Sequence, residues 1–175
     1  GAAQESFVSF PYGQFVLSLD CFGGLAVATE LNGTAVMHVT GGGSFFEQLN
    51  NRGDGKLMGS AGGPVVWTFE QPVQRFGGYF GSITGSNVAV ATFYDDQNAQ
   101  IGQHALELTV YPATWNWNGW EYASDTGGIK KIVIAGALYG GGFILHEDLE
   151  ADPMPTCGWS LPCFADYAVD GFLTG

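Results

Sequence analysis

The chain has 175 residues, 17 acidic against five basic side chains, and a formal net charge of −12 at pH 7. Such a charge repels polyanions and no basic stripe offsets it, so the composition excludes nucleic-acid binding. No stretch approaches about 18 uninterrupted apolar residues, so we expect no membrane span. The length is that of one main domain.

The surface composition and the first residues indicate where the protein works. Only 13% of the residues are charged, about half the share in ordinary domains, so the surface is built largely from Gly, Ser, Thr, Asn and aromatic residues. The opening Gly1-Ala2-Ala3 is what remains after a signal peptide is cut at a small-residue site. We therefore expect a secreted protein with an extracellular or cell-surface location.

Strand patterns dominate the chain from its start. β-Branched and aromatic runs are separated by Gly, Asn-Gly or Asp pairs, which is typical of an antiparallel β-sandwich. Asn32-Gly33 predicts a hairpin, and the 28 glycines leave room for little helix beyond one or two turns in Ser44 to Asn50. The predicted strands are Phe7 to Phe10, Gln14 to Leu19, Leu25 to Glu30, Ala35 to Thr40, Val65 to Phe69, Arg75 to Gly81, Val88 to Tyr94, Leu106 to Tyr111, Lys131 to Ala135 and Phe143 to Leu149.

Several segments occur in an order that resembles a known family. The segments are Phe76-Gly77-Gly78-Tyr79-Phe80-Gly81, Val88 to Tyr94 with Asp95-Asp96, Trp117-Asn118-Gly119-Trp120, Ile129 to Gly136, and the ending Glu147-Asp148-Leu149. This order resembles the secreted jelly-roll domains of bacterial exosortase-sorted (PEP-CTERM-type) surface proteins, over roughly Val65 to Ala151. The resemblance implies a jelly-roll-like sandwich and secretion, and it implies no particular chemistry.

The acidic end of the last predicted strand suggests a metal site. Glu147 and Asp148 supply the hard oxygen ligands that calcium prefers. In a jelly roll the first and last strands lie side by side, so Glu5 or Asp20 would complete a structural Ca²⁺ site. The alternative is a strand that simply reaches solvent.

The densest aromatic cluster suggests a glycan-binding surface. Trp115 and Trp117 project to one side if the segment is extended, and Tyr122 follows closely. Flat aromatic faces stack on the apolar faces of sugar rings, so these three residues are glycan-binding candidates. The alternative is that some of them plug one end of the sandwich, and the resemblance favours that role for Trp120.

The C-terminal part differs from the sandwich in composition. We expect a sandwich domain over residues 1–152 and an appendage over 153–175 that packs on it or on a neighbouring subunit. Cys157 and Cys163 bracket a turn-rich loop that could close as a disulfide. Cys21 is then either a buried small hydrophobe or the partner of a second chain.

Catalytic and transition-metal patterns are weak. His38, His104 and His146 have no zinc-type spacing, no Gly-x-Ser-x-Gly elbow occurs, and 17 acids produce some glycosidase-like pair by chance. We therefore predict no enzyme. The favoured function is a structural or adhesive protein that forms a homo-oligomer or polymer through sheet edges at Phe7, Phe10, Phe164 and Tyr167. The alternatives are a calcium-stabilised module that binds polysaccharide and, third, a glycoside-active enzyme.

Overall fold

The computed structural model describes residues 1–33, 37–40, 49, 52, 56–60, 62–82, 88–110, 113–123, 127–136, 141–154 and 172–173. These residues form strands and one 3₁₀ turn, Phe22–Gly24, and they include no α-helix. The prediction of an all-β chain is therefore confirmed for the described residues. The strands are β1 (Ala3–Glu5), β2 (Gln14–Val16), β3 (Ser18–Cys21), β4 (Ala26–Glu30), β5 (Met37–Thr40), β6 (Leu57–Ser60), β7 (Val65–Ser82), β8 (Val90–Tyr94), β9 (Gln100–Ala105), β10 (Thr109–Val110), β11 (Ala113–Thr114), β12 (Asn116–Tyr122), β13 (Ile129–Ala135), β14 (Ile144–Pro153) and β15 (Phe172–Leu173).

Thirteen of the strands belong to one large sheet. Its main path runs β2-β5-β6-β14-β7-β13-β8-β9, while β10 and β11 form a separate ribbon. The described ladders are antiparallel except for β15, which pairs in parallel with β12. β1, the first strand of the chain, pairs with β14, and Glu5 lies opposite Leu149.

The 18-residue strand β7 joins the two halves of the sheet. Its first half pairs with β4 and β13, and its second half pairs with β14 and β12. Pro72 lies where the halves meet, and it has no N–H to donate to a ladder. The registers of β13 and β14 both shift near this point. Two strands were expected here, and the structure joins them into one.

The core lies between the two halves. Trp67 and Phe93 of one half contact Phe76 and Trp120 of the other, with ring centroids 6.0 Å apart for Trp67–Phe76 and 5.2 Å apart for Phe93–Trp120. His146 packs against Trp67 at 5.8 Å. Burial of each such side chain stabilises the fold by about 1.5–3 kcal/mol. The face-to-face contact of the two halves thus supplies much of the stability.

A second, smaller cluster covers part of the opposite face of the sheet. It consists of Leu49, Leu57, Phe143 and Leu145, with Trp115 packed against it. Leu145 is directly opposite Gly81 of β7, so this cluster lies over the C-terminal end of β7. We call the remainder of that face, which the described residues leave uncovered at Trp117, the open face.

Two local expectations near the N-terminus were wrong. Phe7 to Phe10 forms a turn, closed by the Phe10 N–H donating to the Phe7 carbonyl at 3.1 Å, and Phe7 has a φ of 57°. Asn32-Gly33 does form a turn, with the Gly33 N–H bonded to the Glu30 carbonyl at 3.1 Å. It makes no hairpin, because β4 pairs with β3 and β7 and β5 pairs with β2 and β6.

Candidate functional site

The open face of β7 and β12 carries an exposed tryptophan. Alternate residues of a strand point to the same side of a sheet, and Trp117 is directly opposite Tyr79. Their ring centroids are 5.1 Å apart with the planes at 71°, an edge-to-face arrangement. Trp117 keeps 36% of its surface exposed. It therefore presents an aromatic face to solvent on a rigid strand.

Two glycines on neighbouring strands allow one edge of the Trp117 indole to lie close against the sheet. Gly119 is directly opposite Gly77 on the neighbouring strand. A Cβ built at Gly77 would stand 3.0 Å from Cζ2 of Trp117, and one built at Gly119 would stand 3.1 Å from its Nε1. Glycine inside a strand commonly marks a close approach of this kind. Larger residues here would lift the indole.

Arg52 covers the far side of Tyr79. Its guanidinium carbon lies 3.2 Å from the Tyr79 ring centroid, and its Nη1 donates to Oδ2 of Asp148 at 3.0 Å. The cation–π contact and the ion pair fix the guanidinium at the edge of the open face. This arrangement leaves Trp117 as the accessible ring of the pair.

Strand β14 contributes carboxylates to the same face. Glu150 is opposite Gly77 and Asp152 is opposite Arg75. Glu150 accepts a hydrogen bond from the Gln4 amide at 3.2 Å, whereas Arg75 is paired with Glu121 at 3.2 Å. Neither Glu150 nor Asp152 forms an ion pair within the described residues.

Trp117 lines three hollows, and we call the two that Glu150 also lines the tryptophan groove. The larger has a volume of about 280 Å³, and the smaller about 70 Å³. Trp117 and Glu150 line both. Besides these two, the larger is lined by Gln4, Glu5, Ser6, Arg52, Tyr79, Asp148 and Leu149. The smaller adds Ala2, Arg75, Phe76, Gly77, Gly119, Trp120, Glu121 and Asp152.

A buried carboxyl lies below the Arg52 end of the tryptophan groove. Glu147 has no exposed surface. Its Oε1 accepts a hydrogen bond from the Arg52 backbone N–H at 2.7 Å. Its Oε2 has no hydrogen-bond partner among the described residues. Desolvation raises the pKa of Glu147 to about 7, Asp148 adds to the rise, and the Arg52 N–H and charge oppose it. Asp148 itself has a φ of 46°, at the bulge where the β14 register shifts.

The four predicted calcium ligands are not gathered at one point. Glu5 and Asp148 line the larger hollow, but the Glu5 carboxylate already accepts the N–H groups of Phe7 and Phe22, both at 2.8 Å, and Asp148 is paired with Arg52. Asp20 lies elsewhere, beside Leu19 in another hollow. The described residues include no group of three or more His, Cys, Asp or Glu placed to hold a metal. Asp148 and Glu5, one of the predicted combinations, thus lie at one hollow, and calcium binding there stays a prediction.

The three predicted glycan-binding aromatics have different environments. Trp117 is exposed in the tryptophan groove, whereas Trp115, on the same face, packs against the small cluster at Leu49. Tyr122 is an even-numbered residue of β12, so it points to the other side and packs on the main core. Trp120 is also buried there, 6% exposed. Trp115 and Tyr122 are partly buried, so Trp117 is the most exposed of the three candidates.

The predicted assembly residues and cysteines have mixed outcomes. Phe7 is completely buried and Phe10 packs beside it at 6.4 Å, because the turn folds both rings towards Trp67, so Phe7 offers no exposed edge. Cys21 is buried and free, which confirms the small-hydrophobe alternative. Several predictions fall outside the described residues. They concern Phe164, Tyr167, the Cys157–Cys163 pair and the helix in Ser44 to Asn50, of which the structure describes Leu49.

Three other side chains of the site were not predicted. Tyr79, Arg52 and Glu150 come from segments distant in sequence, and only the strand register brings them beside Trp117. A usable signal was present at Gly77, Gly78 and Gly119, because interior strand glycines mark close approach. His146 also lies inside the core, where burial lowers its pKa to about 3.

Comparison with known proteins adds no relationship. No protein-family model matches the chain, and no curated protein matches it significantly. Within the described residues, no helix is long and apolar enough to cross a bilayer.

Proposed function

We propose that the protein is a non-catalytic carbohydrate-binding module whose ligand stacks on Trp117. The observation that carries the proposal is the exposed indole, whose Nε1–Cζ2 edge lies close over Gly77 and Gly119 and which is flanked by one mainly apolar and one mainly polar hollow. Binding sites combine an apolar or aromatic surface with a few placed polar groups. A sugar ring offers one apolar face and a rim of hydroxyl groups, so it complements this arrangement.

The polar groups around Trp117 are suited to hydroxyl recognition. The carboxylates of Glu150 and Asp152 accept hydrogen bonds, the Gln4 amide donates and accepts, and Arg75 donates. Gln4 and Glu150 already contact each other, so their positions are fixed before a ligand arrives. We further propose that the folded-over sheet is a jelly-roll-like sandwich and that the protein acts outside the cell, as the resemblance to exosortase-sorted surface proteins implies.

Polysaccharide binding by matched variants tests this function. Trp117→Ala is expected to lose at least about tenfold in affinity for any glycan that binds, while Tyr12→Ala, which removes an aromatic ring 63% exposed outside the tryptophan groove, keeps wild-type affinity. Equal binding by both variants would contradict the proposal. The same titration with calcium and with EDTA tests the calcium expectation, which requires tighter binding or a higher melting temperature with the ion.

A second candidate function, self-association, is favoured by one observation. Large exposed apolar side chains are concentrated near β2, where Tyr12 is 63% and Leu17 is 69% exposed. Within the described residues β2 pairs only with β5, and an edge strand with apolar neighbours favours docking of another copy. A secreted structural or adhesive protein would use such an edge.

Sizing of a charged variant distinguishes this candidate. Leu17→Glu should reduce any oligomer to monomer, while Val88→Glu, which introduces the same charge at a side chain 61% exposed just before β8, should leave it intact. Salt should promote the wild-type oligomer, because it screens the net charge of −12. A wild-type chain that is monomeric at all salt concentrations would remove this candidate.

A further inference from the structure

We propose that the ligand of the tryptophan groove is a cationic amino-sugar polymer, of the type of β-1,4-linked glucosamine, bound through Glu150 and Asp152. This inference rests on the proposed carbohydrate-binding function and adds the chemical class of the sugar.

The charges lining the tryptophan groove are unequal. Arg52 and Arg75 are its two basic side chains, and each is engaged by a carboxylate, Asp148 at 3.0 Å and Glu121 at 3.2 Å. Glu5 is satisfied by two backbone N–H groups. Within the described residues, Glu5, Glu150 and Asp152 therefore have no cationic partner, and Glu150 and Asp152 are the two of these that are not held by backbone N–H groups. A cationic ligand would complement their charge.

Glu150 and Asp152 are placed to meet one sugar unit together. They are two residues apart on β14, so their side chains point to the same face and their Cα atoms are about 7 Å apart. Both line the smaller hollow beside Trp117. The amino groups of neighbouring units in a β-1,4-linked chain lie on opposite edges, so a unit stacked on the indole would bring its one amino group to this pair of carboxylates.

The same geometry disfavours anionic sugars. A uronate or sulfate group entering the groove would face Glu150 and Asp152, and the charges of Arg52 and Arg75 are already offset by Asp148 and Glu121. Like-charge contacts of this kind are the repulsive elements from which specificity is built. The groove therefore selects both for ammonium groups and against carboxylate groups.

The test compares short β-1,4-linked glucosamine oligomers with their N-acetylated forms of equal length, which differ in charge. At a pH of about 5.5 the amino groups are protonated and most carboxylates remain ionised. We expect the wild-type protein to bind the glucosamine oligomer at least about tenfold more tightly, with a preference that weakens as salt is added. The double variant Glu150→Gln with Asp152→Asn should bind both oligomers equally.

A matched control removes the same charge elsewhere. The double variant Glu70→Gln with Asp96→Asn lowers the net negative charge equally, at two exposed positions outside the groove, and it should keep the full preference. Loss of preference in this control, or its persistence in the groove variant, would overturn the inference. If the wild-type protein binds both oligomers equally and Trp117→Ala abolishes that binding, the inference about amino sugars is wrong and the proposed carbohydrate-binding function stands. If the wild-type protein binds no glycan, both the inference and the proposed function are wrong.

Discussion

The indole of Trp117 lies over Gly77 of the neighbouring strand, so close that its Cζ2 is 3.0 Å from where a Cβ on Gly77 would stand. The indole can lie against the sheet there because the backbone below it carries no side chain. The orientation of the exposed ring is therefore determined by two glycines as well as by the ring itself. Substitutions at these glycines should change binding without touching the ligand.

Gly119→Ala should weaken glycan binding by about three- to tenfold and leave stability unchanged or slightly higher. The new Cβ would meet Trp117 atoms alone, the nearest being Nε1 at 3.1 Å, so the indole has to tilt. Alanine is otherwise favoured over glycine inside a strand by about 0.5–1 kcal/mol. Glycan titration, tryptophan emission and urea unfolding measure the three effects.

Gly77→Ala provides the contrast to Gly119→Ala. Its Cβ would also meet backbone, the Asn118 carbonyl and Gly119 Cα, both at 3.0 Å, so it should lower the free energy of unfolding as well as affinity. If the two alanine variants behave alike in both measurements, the proposed difference between indole and backbone contacts is wrong.

Glu147→Gln should remove a pH-dependent loss of stability. The folded-state pKa of Glu147 is about 7, above its ordinary 4.5, so the folded chain retains a proton that the unfolded chain has lost between these values. Stability therefore falls as pH rises through this window. The variant should be more stable than wild type at pH 8 by up to about 3 kcal/mol, with the difference shrinking towards pH 4.5.

Urea unfolding at a series of pH values measures this difference. The glutamine keeps an acceptor for the Arg52 N–H, so local structure should survive. Glu70→Gln, at an exposed carboxylate, is the control and should track the wild type at every pH. A constant offset between Glu147→Gln and wild type would show that burial of the charge is not the cause.

Phe76→Ala should destabilise the fold by about 3–5 kcal/mol. Phe76 is 1% exposed and contacts Trp67 and Phe69 of the opposite half, at 6.0 and 5.8 Å, so its removal opens a cavity between the halves. Val8→Ala, at a side chain 53% exposed, should cost less than about 0.5 kcal/mol. Thermal and urea unfolding measure both, and a small loss for Phe76→Ala would argue against close packing of the halves.

The thiol of Cys21 should resist alkylation in the native protein. It has no exposed surface, and burial raises its pKa, with Glu5 and Asp20 adding to the rise, so little thiolate forms and none is accessible. Peptide mapping after treatment with iodoacetamide at pH 8 should find Cys21 unmodified, and modified after unfolding in guanidinium. Rapid native labelling would mean that the β3 region opens readily.

The sequence predicted strands best where apolar alternation stops at a turn residue. Leu25 to Glu30 corresponds to β4, and Lys131 to Ala135 lies within β13. The polar strand β9 was missed, because it forms the far end of the sheet and buries little. Glu70-Gln71-Pro72 resembles a turn in sequence, so two strands were predicted where the structure has β7 alone. β7 continues through this segment because β13 pairs with its first half and β14 with its second half.

The sequence predicted one residue of the candidate site, Trp117, and did not predict the side chains that surround it. Trp117 was a candidate because aromatic density is visible locally. Tyr79 and Glu150 join it through strand register, and a shift of one residue would turn every side chain to the other face. No local pattern specifies that register, so neither the exposed face of Trp117 nor the burial of Trp115 could be derived from spacing alone.

The position of β14 within the sheet has a consequence for how the chain is made. β14 lies between β6 and β7 and also holds β1, yet it is synthesised after all three. In a nascent chain that has emerged only as far as β13, the edges of β6 and β7 that pair with β14 therefore have no partner strand. The sheet closes only when β14 follows, so we expect folding to be slow, as for other topologies with distant pairings.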